Sequence, residues 1–66
     1  MNTLDAIEII EGEAGPVDFE TVIEAWQALI DTGLVWRLQG RYGRMAHNLI
    51  VEGVCQPPSG EQINLQ

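Results

Sequence analysis

The stretch D-F-E-T-V-I-E-A-W-Q-A-L-I-D-T-G-L, residues 18–34, decides how this chain folds. Asp18 is a residue type that caps a helix N-terminus, and Glu20 in the first turn suits the positive end of the helix dipole. Val22, Ile23, Trp26, Leu29 and Ile30 follow at steps of 1, 3, 3 and 1, which gathers them on one helical face. Gly33 stands where a left-handed residue ends a helix, and Leu34 supplies the aliphatic that folds back on the last turn. The spacing predicts a helix from Asp18 to Gly33 with one buried face.

Upstream, E-G-E-A-G-P-V at residues 11–17 holds two glycines and a proline and reads as a loop. Before it, Leu4, Ala6, Ile7, Ile9 and Ile10 follow Thr3, which can cap a short helix with Asp5 in its first turn. The β-branched isoleucines leave a strand as the alternative, and helix is the favoured reading. Downstream, Val35, Leu38, Tyr42, Met45, Ala46, Leu49 and Ile50 would fill one apolar arc on a continuous helix. Gly40 and Gly43 inside that span favour a split instead: a first segment Leu34–Gln39, a turn Gly40–Gly43, and a last helix Arg44–Glu52. Gly53 and Val54 repeat the Gly-aliphatic ending of Gly33 and Leu34. The chain thus reads as one small all-α domain over residues 1–55, a compact bundle of three to four short helices. A helix-turn-helix-like arrangement over residues 34–53 is one form the split can take. Residues 56–66, Q-P-P-S-G-E-Q-I-N-L-Q, lack periodicity and are expected to form a flexible, proline-containing tail.

Sixty-six residues allow one domain, and the 45% apolar and 20% charged composition is globular. Ten acids against three bases give a net charge of −7, which opposes general binding to nucleic acid or to an anionic membrane. The single cysteine excludes an internal disulfide framework. Residues 1–13 lack the pattern of a secretory signal, and no apolar run reaches the length of a membrane span. A lone thiol without a targeting signal fits a reducing, cytoplasmic setting. A chain this small buries only about 60% of its unfolded surface, so homodimerisation or docking on a larger partner would ease its marginal stability.

Charge is unevenly distributed. Residues 1–33 carry eight acids and no base, residues 34–51 carry three arginines and no acid, and lysine is absent. Arg37, Arg41 and Arg44 would form one stripe beside Asn48 on a continuous helix. Arginine presents a planar fork for carboxylate or phosphate, so the stripe is a candidate docking site for an anionic partner. The intramolecular alternative pairs these arginines with Glu20, Glu24 or Asp31. Trp26 belongs to the apolar face, whereas Trp36 lies off it beside the glycines, either as an exposed anchor or as a cover for the turn.

Motifs for catalysis are weak. D-T-G at residues 31–33 matches the tripeptide of retroviral-type aspartic proteases, but here it ends a helix in a chain too short for that fold. His47 and Cys55 lack the further ligands of a zinc site and the third group of a nucleophilic site. No phosphate-binding glycine loop is present. The reading is non-enzymatic, with no cofactor and no metal. Within the split, Arg44, His47, Asn48 and Val51 would face outward from a second helix, and Arg44 and Asn48 are base-reading types, so a helix-turn-helix nucleic-acid module is the alternative.

Residues 26–55 resemble a group of very short proteins found in phage genomes and some bacterial genomes. The shared pattern is W-Q-x-L-I-D-T-G-x-x-W-x-L-Q-G-x-x-G-R-x-A-x-x-L-I-x-x-G-x-C, covering 30 of 66 residues. The resemblance implies a phage-type or prophage-type accessory protein and brings no catalytic residues with it. For such a protein the acids Glu8, Glu11, Glu13, Asp18, Glu20 and Glu24 are candidates for contacting and inhibiting a host factor, by a surface that imitates DNA or fills an arginine-rich groove. The Trp36, Arg37 and Arg41 patch is a candidate for docking on a larger phage or host assembly, and Arg44 and Asn48 of the stripe are further partner-binding candidates.

Overall fold

The computed structural model describes residues 1–58, and every regular element among them is helical. The order is α1 (Thr3–Ile10), α2 (Phe19–Thr32), a 3-10 turn (Leu34–Arg37) and α3 (Gly40–Val51). Helix α1 packs on α2, and the 3-10 turn bridges α2 to α3. No helix among the described residues is long and apolar enough to cross a membrane.

The helix ends explain the order. Asn2 caps α1 by accepting from the Asp5 N–H at 2.8 Å, so the cap lies one residue before the expected Thr3, which is already helical. Asp18 caps α2 by accepting from the Thr21 N–H at 2.9 Å. Gly12 and Gly53 adopt φ of +83°. Each is followed by the Schellman bond, Glu13 N–H to Glu8 C=O and Val54 N–H to Leu49 C=O, both at 2.9 Å. At the end of α2 the same closure runs through a hydroxyl. Thr32 Oγ1 donates to Leu29 C=O at 3.2 Å and accepts from Leu34 N–H at 3.3 Å, beside Gly33 at φ +78°. The D-T-G tripeptide therefore does capping work on a helix.

The break downstream falls earlier than expected. Leu38 and Gln39 are extended, with ψ of −174° and 150°, and Gly40 to Gly43 form the first turn of α3 rather than a turn between helices. Neither glycine has a positive φ. Both downstream readings are thereby corrected: 34–54 is not one helix, and the segment before the break is a single 3-10 turn over 34–37.

The core consists of Ala6, Ala25, Trp26, Leu29, Ile30, Val35, Tyr42, Ala46, Leu49 and Cys55, with half-buried aliphatics around it. Met45, expected on the apolar arc, is 45% exposed, whereas Tyr42, Ala46 and Leu49 of the same arc on α3 are buried. The chain after α3 is tied back to α2. Gln27 accepts from Gln56 N–H at 2.8 Å and donates to Gln56 C=O at 3.1 Å, while its amide also donates to Asp31 at 3.0 Å. The first residue of the expected tail is therefore anchored; positions 59–66 of that tail lie outside the described residues.

Candidate functional site

The bend at Leu38 and Gln39 governs where the candidate residues go. It takes Arg37 off the arginine stripe, while Arg41 and Arg44 stay three residues apart on α3, and the three arginines line three separate grooves. Arg37 ends the 3-10 turn and faces Thr3, Thr32 and Leu34. Arg41 faces Ile10, Glu11, Glu13, Trp26 and Met45. Arg44 lies with Trp36 and Asn48.

The Arg41 groove, about 600 Å³, is ordered by a relay. Arg41 Nη2 donates to Tyr42 Oη at 3.0 Å, and Tyr42 Oη donates to Glu11 Oε2 at 3.0 Å. The guanidinium carbon also sits 4.9 Å from the Tyr42 ring centroid, and Tyr42 is tilted against Trp26 with centroids 6.2 Å apart. Arg41 thus reaches a carboxylate on the turn after α1, through a residue 31 positions from that carboxylate. Pattern reading missed Tyr42 because its hydroxyl partner is distant in sequence.

The Trp36 groove, about 510 Å³, runs between the 3-10 turn and α3. Val35, Trp36, Leu38, Gly40 and Gly43 form its apolar part, and Arg44, His47 and Asn48 its polar side. Trp36 is 49% exposed and stands 3.7 Å from where a Cβ on Gly43 would lie. The bend brings together three of the five expected docking residues, Trp36, Arg44 and Asn48, and adds His47.

The candidate acids Glu8, Glu11, Glu13, Asp18, Glu20 and Glu24 are all exposed, between the second turn of α1 and the middle of α2. Thr21, through its hydroxyl and then its backbone N–H, holds the Asp18 carboxyl below its ordinary value of 3.8. Among the described residues no group of three His, Cys, Asp or Glu side chains is placed to hold a metal ion. Cys55 is buried, and that burial, with the Asp31 carboxylate adding to it, pushes its thiol above the ordinary value of 9.0. This is the opposite of the thiolate activation a nucleophile needs.

The chain belongs to the family described as Domain of unknown function (DUF7417), whose model matches residues 1–64. The match takes in α1, the acidic turn and most of the C-terminal segment, well beyond the 26–55 stretch that carries the phage-type resemblance. No curated protein and no solved structure matches the chain.

Proposed function

We propose that this member of the DUF7417 family is a phage-type accessory protein that acts by protein contact in the host cytosol. It binds a basic surface of a host factor and inhibits it. The observation that carries this reading is the exposed run of six carboxylates from Glu8 to Glu24, in a half of the chain that contains no base. The caps at Gly12 and Asp18 fix the backbone of that run, so its charges are presented by ordered elements. Like charges held together on one protein create a local potential that attracts and orients a cationic partner. In the DNA-imitating form of this reading, the carboxylates occupy the positions that phosphates would take on the host factor.

The test is capture from a host lysate with the native chain and with a variant carrying Glu→Gln at residues 8, 11, 13, 20 and 24 and Asp18→Asn. Asparagine preserves the cap, so the variant keeps its helices while losing six charges. A host protein retained by the native chain and lost by the variant, with retention weakening as salt rises, supports the reading. Equal capture of the same protein by both refutes it.

A further inference from the structure

The apolar face of α2 extends past the core. Phe19 precedes Val22, Ile23 and Trp26 by three, four and seven residues, so it shares their face. It is nevertheless 71% exposed, the most exposed large hydrophobic side chain among the described residues. Asp18 and Glu20 flank it, and both are exposed. The start of α2 is an aromatic knob between two carboxylates.

The Trp36 groove has the complementary chemistry. Its charged and titratable lining is Arg44 and His47, with no acid among the described lining residues. Its glycines serve neither backbone nor packing. A methyl group on Gly43 would meet Trp36 at 3.7 Å, an ordinary contact, and one on Gly40 would meet only the movable end of Arg44 at 3.3 Å. Both φ values are negative. Glycine weakens a helix relative to alanine, and what it gives here is a side-chain-free floor beside the exposed indole.

We propose that the occupant of this groove is the Asp18, Phe19, Glu20 knob of a second copy of this chain. Phe19 packs on the exposed side of the Trp36 indole, and Glu20 meets Arg44. Two copies related by a two-fold axis make the contact twice, each lending its knob and receiving the other's. This contact shares Asp18 and Glu20 with the host-factor reading but does not rest on it. It uses the start of α2 and the Trp36 groove, and it needs no host protein.

The test is sedimentation of the purified full chain over a concentration series. The native chain is expected to self-associate. Phe19→Ser, at a position too exposed to matter for folding, weakens association by about 30-fold or more, the scale of a buried aromatic anchor. Arg44→Glu weakens it also, and Glu20→Arg combined with Arg44→Glu restores it. Circular dichroism checks that each variant keeps its helices. A native chain that stays monomeric at all concentrations overturns the proposal. So does association that Phe19→Ser leaves unchanged, or a double variant that does not recover. A monomeric chain whose tryptophan emission responds to an added acidic aromatic peptide, with the response lost in Trp36→Phe, would assign the groove to a different protein, and that result also overturns it.

Discussion

Substituting alanine for two different glycines should shift stability in opposite directions. Gly43 is the fourth residue of α3 and has no positive φ. Alanine there gains about 0.8–1.0 kcal/mol of helix propensity. Its methyl group also lands 3.7 Å from Trp36 Cδ1, and covering part of one carbon adds up to about 0.5 kcal/mol. The net gain is about 1 kcal/mol, equivalent to a rise of about 4–8 °C in Tm for a domain of this size. Gly53 meets nothing within 4 Å at its Cβ position but sits at φ +83°. Alanine there costs about 1–2 kcal/mol in the left-handed region, lowering Tm by a comparable or larger amount. Thermal unfolding followed by circular dichroism, at dilutions where sedimentation shows a monomer, with urea titrations to confirm it, measures both. If Gly43→Ala lowers Tm, the helical start of α3 is wrong, and residues 40–43 form the turn that the glycines suggest in the sequence.

Leu29→Ala removes a fully buried side chain at a cost of about 2–5 kcal/mol. For a domain whose total stability is about 3–10 kcal/mol, urea titration should then show a largely lost folded baseline. Gln27→Ala breaks both bonds to Gln56 and should cost about 1–2 kcal/mol. Hydrogen exchange should show the Gln56 amide losing its protection while amides within α3 keep theirs. Asp18 binds its proton less tightly when folded than when unfolded. Its contribution is therefore complete above the ordinary value of 3.8 and fades as pH falls through the lower folded value. Asp18→Asn should flatten the acid limb of stability against pH, and an unchanged limb would contradict the Thr21 bonding. The raised, buried Cys55 thiol should resist alkylation in the native chain and react at the rate of unfolding, which mass spectrometry of labelled samples can follow.

Helix α2 was legible because everything that defines it is local: a cap at Asp18, a stripe at helical spacing, and a left-handed Gly33. The end of α3 was legible at Gly53 for the same reason. The start of α3 was not. The sequence's most visible breakers, Gly40 and Gly43, take helical angles, while the bend falls on Leu38 and Gln39, which carry no turn chemistry of their own. That displacement also governs the site. Trp36, Arg44 and Asn48 converge because they flank the bend, whereas Arg37 and Arg41 separate because the stripe needed a continuous helix. The Tyr42 relay to Glu11 depends on tertiary packing and has no local signature. Phe19 did have one, an aromatic on the apolar stripe between two acids, but only the structure shows that the core stops short of it.

The two bonds between Gln27 and Gln56 amount to a single ladder rung made by a side chain. They set the path by which mechanical load enters the domain. Tension applied to the chain beyond Pro58 meets the middle of α2 first, through two hydrogen bonds pulled together, before it can peel the last turn of α3. A fusion or surface tether at the C-terminus should therefore grip the protein by its central helix, and Gln27→Ala would move the point of first yielding to Cys55, buried in the core and bonded through its N–H to Leu49 C=O at 3.0 Å.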